Sequence, residues 1–418
     1  MRFFHAVTIA VALFGFTPIA RASDALTLDQ CIARALATIP RLAQSFAEVS
    51  LVLAQRDETA ASLNPSLRFD LQYLQEPGYR EAITNRGVAA AQLIGDYLIY
   101  DGGRRQAQLR AAKYALDSSR FGLALARNEV VFDTTVAFFA LIHASRSEQE
   151  MRASVERLQR YLSVLESLRQ SGRATANDVL RMDLMLRDAR VQLDSFSHDR
   201  TRAAFALGAL IGDYGHGDIN VATPPDISNV SANAQVDANP AVRALERDRA
   251  SALAQLDAAR DENYPTLSTE LTAGFLGTDP PTAVTRYGGA SYGGVLSVPI
   301  FQGGAIRARV DQAKAKVRQS YAALAQARID IGERMAEARS RLDGARSSIA
   351  MLEQAVPIAE SSFQLSWSRF LGGGTITVLE IVDSYNQSIS RRLALIDRQF
   401  DASQAAAEIS LLSASTSQ

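Results

Sequence analysis

From Leu28 to Leu63 the apolar side chains recur at intervals of three and four, at Ile32, Leu36, Leu42, Phe46, Val49 and Leu53. That spacing gathers them on one stripe of an α-helix, and Pro40 marks a bend or restart in it. After Asn64-Pro65 the period drops to two. Leu67, Phe69, Leu71 and Tyr73 alternate with Arg68, Asp70 and Gln72, which predicts a strand over about 65–76. A turn-rich stretch, "EPGYREAITNRG", leads to a second strand at about 89–100, with Leu93, Tyr97 and Ile99 on one face and Gln92 and Asp96 on the other. From 102 to 170 the pattern is helical and free of proline, enough for roughly 100 Å of helix. "SGRATAND" (Ser171–Asp178) breaks it, with Gly172 placed as a C-cap and Asn177 or Asp178 as an N-cap. A return helix then runs from about Val179 to Ile211.

The second half repeats the first. "IYDGGRRQAQLRAAK" begins at Ile99 and "IFQGGAIRARVDQAK" at Ile300, 201 residues on. Pro40 and Pro240, Pro65 and Pro265, Leu67 and Leu267, and Gly172 and Gly372 stand 200 apart, and "NPSL" (Asn64–Leu67) is answered by "YPTL" (Tyr264–Leu267). The chain therefore reads as one unit written twice: a first repeat over 23–212, a Gly/Pro/Asn-rich linker over 213–239, and a second repeat over 240–413. The second repeat carries a helix from 240, strands at about 265–276 and 290–301, a long helix over 304–370 kinked at Pro357, a break at 371–376 that reads about two residues longer than the first, a last helix, and a tail over 414–418.

Four strands of this length can each cross a bilayer, for which about 9–11 tilted residues suffice. Four cannot close a barrel, and an open sheet edge cannot stand in lipid. Single-chain barrels start at about eight strands, so the chain must pool strands with copies of itself. The first helix and the return helix, stacked end to end, match one long helix, so about four helices per chain stand at every level. Three chains then give a ring of twelve with a bore of roughly 28 Å at ~10 Å helix spacing, and two chains about half that. The fold class that follows is mainly α with a membrane β-barrel.

Composition removes most other functions. The chain is 47% hydrophobic and 21% charged with a net charge of −1. It has no clustered basic excess for a nucleic-acid partner. Arg2, the apolar run Phe3–Ile19 and the small-x-small pattern Ala20-Arg21-Ala22 read as a signal peptide over 1–22. A membrane anchor is the weaker reading, since the run is short and ends on Pro18 and Arg21. No later stretch reaches 18 consecutive apolar residues. Cys31 is the only cysteine, so no disulfide framework exists; its place in a helical pattern argues for a small buried residue and against a lipid-modified N-terminus. The four histidines are scattered, and no metal-ligand spacing, P-loop, GxSxG or dinucleotide fingerprint is present. The expectation is a protein without catalytic site, cofactor or metal.

"LTLDQCIARALATIPRL" near the start resembles the opening motif of the TolC family of outer-membrane efflux factors. "YDGG" and "FQGG" at the strand-to-helix junctions, and "NPSL" and "YPTL" at the helix-to-strand junctions, are similar to that family's markers. The resemblance implies a trimeric twelve-stranded outer-membrane barrel continued into a periplasmic α-helical barrel. It also implies a periplasmic adaptor and an inner-membrane pump, proton-driven or ATP-driven, as partners. The junction glycines Gly102, Gly103, Gly303 and Gly304 then mark the inner rim of the membrane, where positive φ and close packing favour residues without a Cβ.

By the same resemblance the gate lies at the two helical tips, around Gly172 and Arg173 and around Gly372, Gly373 and Gly374, where an adaptor would also dock. Glu380 and Asp383, at i and i+3 in "TVLEIVDSYN", match the family's carboxylate rings; the alternative is that they merely favour the helix macrodipole. Asp178 matches a position that ties neighbouring tips, and local chemistry offers an N-cap instead. The second tip lacks the family's basic residue, so Arg173 or Arg369 is expected to substitute. Tyr97, Tyr100, Tyr287, Tyr292 and Phe301 flank the strands as interfacial belts or as packing at the barrel's rim. Trp367, beside the second tip, fits helix packing better than adaptor docking. The rival reading is a periplasmic structural or adaptor coiled coil, which would need no amphipathic strands. Within the channel reading, small-molecule or metal-ion efflux and protein export both remain open.

Overall fold

The computed structural model describes residues 25–76, 87–215, 219–222, 236–278 and 288–413. The signal segment 1–22, Tyr287, the tail 414–418 and most of the linker lie outside them. The first repeat contains α1 (Leu28–Thr38), α2 (Pro40–Ala61), β1 (Ser66–Gln75), β2 (Gly87–Tyr100), α3 (Arg104–Gln170) and α4 (Ala176–Ile211). The second contains α5 (Pro240–Asp261), β3 (Thr266–Thr278), β4 (Gly288–Ser297), α6 (Ala305–Leu371) and α7 (Val378–Ser413).

Helix starts follow local chemistry. Thr27 and Gln30 form a capping box before α1, and α2 and α5 each open on a proline, whose missing N–H costs nothing in a first turn. Pro40 is thus a restart. α6 continues through Pro357 as one helix, without the single hydrogen bond the imide cannot donate.

The duplication extends to element lengths: α2 and α5 have 22 residues each, α3 and α6 have 67, and α4 and α7 have 36. The offset between counterparts grows from 200 at α2/α5 to 201 at α3/α6 and 202 at α4/α7. One residue is therefore gained around the second hairpin and one at the second tip. That tip is one residue longer than the first, not two: residues 171–175 separate α3 from α4, and residues 372–377 separate α6 from α7.

β1-β2-β3-β4 form one antiparallel sheet in sequence order, with β2 and β3 joining the two repeats. Phe69 faces Leu93, Leu93 faces Ala273 and Ala273 faces Ala290. One side of the sheet therefore carries Phe69, Leu71, Tyr73, Leu93, Leu271, Phe275 and Tyr292, all exposed, with Leu71 at 76% and Tyr292 at 87%. Arg68, on the opposite side, pairs with Asp70 at 3.1 Å and with Asp96. β1 and β4, the two edges, each have a single partner. The helices carry the core. One cluster joins α3, α4, α6 and α7 near the tips, and two more lie farther from them, one on α1, α3 and α4, the other on α5, α6 and α7.

Candidate gate at the helical tips

Each long helix ends in the same turn. Gly172 takes φ +75°; its N–H bonds to the Arg169 carbonyl at 3.0 Å, and that of Arg173 to Leu168 at 2.8 Å. In the second tip Gly373 takes φ +83°, with Gly373 N–H on Phe370 at 3.2 Å and Gly374 N–H on Arg369 at 2.9 Å. Both are Schellman closures with the left-handed residue just past the helix. The counterpart of Gly172 is therefore Gly373, whereas Gly372 itself is the C-cap with φ −75°.

The return helices start alike. Thr175, not Asn177 or Asp178, caps α4: its Oγ1 accepts from the Asp178 N–H at 3.2 Å, and the Asp178 carboxylate accepts from the Thr175 N–H at 2.9 Å. Asp178 is thus the third residue of a capping box, its carboxylate turned back onto its own helix start. Thr377 does the same before α7, accepting from the Glu380 N–H at 3.3 Å.

Glu380 and Asp383 are placed on α7 on the side away from the buried Val378, Ile381 and Tyr385. Gln387 donates to Asp383 at 2.8 Å. Arg173 spans the two tips: its Nη2 donates to the Leu371 carbonyl at 2.6 Å, at the C-terminus of α6. A cation is favoured there by the helix dipole, so this link needs no carboxylate. Arg369 lies in the last turn of α6.

Behind the tips stands an aromatic wall. Trp367 lies 4.6 Å from the Tyr161 ring, Phe363 lies 5.3 Å from Tyr161 and 4.9 Å from Tyr385, and all belong to the tip core. Trp367 therefore packs between helices. Above it a polar seam joins α3 to α7. Ser154 Oγ lies 2.9 Å from the Tyr385 hydroxyl, which itself donates to the Ser154 carbonyl at 3.2 Å. Arg157 donates to Glu150 at 2.8 Å, and Arg392 bridges Glu150 at 3.2 Å and Glu360 at 2.8 Å. Burial would raise the Glu360 carboxyl, but hydrogen bonds from Gln364 and Ser388 and the Arg392 charge outweigh it and hold the group below its ordinary value. Beside this seam an open cleft of about 610 Å³ separates α4 from α7, lined by Leu184, Asp188, Leu379 and Asn386 among others.

Because the folded Glu360 binds its proton less readily than the unfolded chain, its contribution to the seam is complete above pH 4.5 and is lost as the pH falls below it. Trp367 is the only tryptophan. Its emission should redshift on acidification below that value and recover on neutralisation, whereas in a Glu360→Gln chain the acid step should shrink.

At the far end, Gly102 and Gly103 (φ +71° and +97°) turn β2 into α3, and Gly303 and Gly304 (φ +58° and +84°) turn β4 towards α6. Asp101 and Arg105, 3% and 7% exposed, pair at 2.9 Å, and Arg105 also donates to the Ser62 carbonyl at 2.8 Å. Burial would raise the Asp101 carboxyl, yet the Arg105 backbone and guanidinium and the Gly103 N–H hold it below the usual range. Tyr97, Tyr100, Tyr292 and Phe301 are exposed around the strands. Cys31 is fully buried. Among the described residues no group of three or more His, Cys, Asp or Glu gathers as a metal site, and no helix is long and apolar enough to cross a membrane.

The model of the outer membrane efflux protein family matches residues 31–213 and again 233–415, once per repeat. The chain belongs to the outer membrane efflux protein family. Its place is the outer membrane, and its work is transport rather than catalysis. Among relatives, it is 23% identical over 380 residues to the pyoverdine export outer membrane protein OpmQ of Pseudomonas aeruginosa, covering 86% of this chain and 80% of that one. A membrane protein from Pseudomonas aeruginosa of solved structure shares the fold with a TM-score of 0.85 at 19% identity, over 93% of each chain. CusC, whose structures concern folding and transmembrane channel formation, matches with a TM-score of 0.84 at 16% identity, over 93% of this chain and 92% of that one. Nothing favours the periplasmic coiled-coil reading over this efflux family.

Proposed function

We propose that three copies of the chain form a passive exit channel of a tripartite efflux or type I secretion assembly, gated at the helical tips. The observation that carries the reading is the sheet: four strands with a bare apolar face and two unpaired edges, joined to helices of 67 residues. Acyl chains suit such a face, and pairing with further copies removes such edges. The helices from three copies then enclose a duct below the barrel, and Glu380 and Asp383 repeat around its axis as two acidic rings.

The tip glycines Gly172 and Gly372–Gly374, with Arg173 and Asp178, form the rim on which a periplasmic adaptor docks to connect an inner-membrane pump. Docking that displaces Arg173 from the Leu371 carbonyl would let the tips part. The test is fractionation followed by mass measurement in mild detergent. The expected result is an outer-membrane trimer. A soluble monomer would refute the channel.

A further inference from the structure

We propose that one basic side of the two long helices, Arg110 and Lys113 on α3 with Arg307, Lys314 and Arg318 on α6, holds the phosphate groups of anionic phospholipids in the leaflet beside it. The proposal rests on the channel reading above and adds to it a class of lipid that the helices recognise.

The sequence concentrates amines at this level. The chain has three lysines, Lys113, Lys314 and Lys316, and all lie within the first dozen residues of a long helix. Lys113 and Lys314 are counterparts in the two repeats, so both repeats set an amine at the same depth. All five side chains of the proposed surface are exposed. Lys314 meets Asp311 at 3.1 Å, whereas Lys113, Arg307 and Arg318 have no ion-pair partner among the described residues.

Depth and direction suit a headgroup layer. Tyr100, Ile300 and Phe301 are exposed at the junctions, Ile300 at 94%, and mark where the apolar surface ends. Lys113 and Lys314 follow about 14 Å further along their helices. Headgroups occupy about 5–8 Å beyond the hydrocarbon. Side chains close the difference, because Cβ atoms tilt towards a helix's N-terminus and both long helices leave the sheet by theirs. α2 and α5 run the opposite way, so Asp57, Glu58, Asp257 and Asp261 near their ends lean away from the leaflet.

Helical phase separates the sides. α2 and α5 flank one side of α3, where Gln108, Ala111, Ala112 and Ala115 line a gap of about 520 Å³ between them. Arg110 and Lys113 project from the opposite side. On α6, Arg307, Lys314 and Arg318 share the corresponding side, and Lys316 projects from the other. Asp117 and Asp311 are too few to neutralise the basic side. Turned towards the duct, it would repel the cations that acidic tips attract; turned outward, it meets an anionic leaflet.

The test acetylates the full chain, inserted into vesicles with its helices outside, using a membrane-impermeant N-hydroxysuccinimide ester. Mass spectrometry reads each lysine separately. The vesicles are phosphatidylcholine alone, or phosphatidylcholine mixed with phosphatidylglycerol. Lys113 and Lys314 should react about fivefold more slowly with phosphatidylglycerol present, the size of one favourable contact at an anionic surface. Lys316, at nearly the same depth, should keep its rate, and raised salt should abolish the difference. Equal rates for Lys113 in the two vesicles, or slowing at Lys316 instead, would overturn the proposal. So would the same slowing produced by inorganic phosphate in phosphatidylcholine vesicles, since the surface would then take free anions rather than lipid. Insertion and oligomeric state are measured on the same samples. An inserted trimer with unchanged lysine rates overturns the lipid surface alone, whereas a monomer that does not insert overturns the channel reading and the lipid surface with it.

Discussion

Replacing Gly102 with Val should leave almost no trimer. Two penalties combine at this residue. Its φ of +71° lies in the left-handed region, where a side chain with a Cβ costs about 1–2 kcal/mol. The new Cβ would also lie 2.4 Å from the Cβ of Tyr264, a contact that has to be relieved by moving the start of the second repeat's hairpin. Overpacking of this kind adds about 1–3 kcal/mol. The hairpin in question carries β3, the strand that joins the repeats, so the damage spreads to the whole sheet. Gly303→Val, with open space around it in the single chain, carries chiefly the backbone penalty within the chain and should also lose trimer. The measurement is the trimer fraction of each variant in mild detergent. Normal assembly of Gly102→Val would refute the junction's role.

The second large effect is expected at Phe363→Ala. Phe363 is 1% exposed and fills the middle of the aromatic wall, edge-on to Tyr161 and Tyr385. Truncating such a buried ring costs about 3–5 kcal/mol, the sum of lost burial and the cavity left behind. The wall is shared by α3, α6 and α7, so its loss loosens the seam between the repeats directly behind the tips. Trp367 belongs to the same wall, and its emission should show a lower urea midpoint in the variant, while the hairpins and the trimer persist. An unchanged midpoint would mean that the tips are held by their turns and by Arg173 alone.

Much of this is legible in the chain because the signals are local. Period-two alternation at Leu67–Tyr73 places β1 within a residue of its observed limits, and the glycine pairs mark both turns into the long helices. The tips are harder to read. Thr175 and Thr377 cap their helices through hydroxyls, while the apolar pattern starts only later, so the pattern opens at Val179 although α4 begins at Ala176. A fixed 200-residue offset likewise pairs Gly172 with Gly372, although the one residue gained around the second hairpin moves the left-handed position to Gly373. The reach of Arg173 to Leu371 joins residues 198 apart, and the Glu150–Arg392 bridge joins residues 242 apart. No periodicity reports such contacts. Asp101 and Arg105 do carry a local hint, an acid and a base four apart across a glycine pair, which the duplication obscures because Gln302 and Ile306 replace them in the second copy.

The most direct test of the channel account is single-channel current through the purified protein in a planar bilayer, with a trivalent cation added on the side of the tips. If Glu380 and Asp383 recur three times around a narrow entrance, the carboxylates of each ring repel one another, favour cations in the pore and bind a multivalent ion that bridges them. Both side chains face away from the tip core, so Glu380→Ala with Asp383→Ala should leave the trimer intact. The account predicts block of the wild-type current, and weaker block with reduced cation selectivity in the double variant. Equal block in both would contradict it and leave the two carboxylates as favourable charges at a helix start.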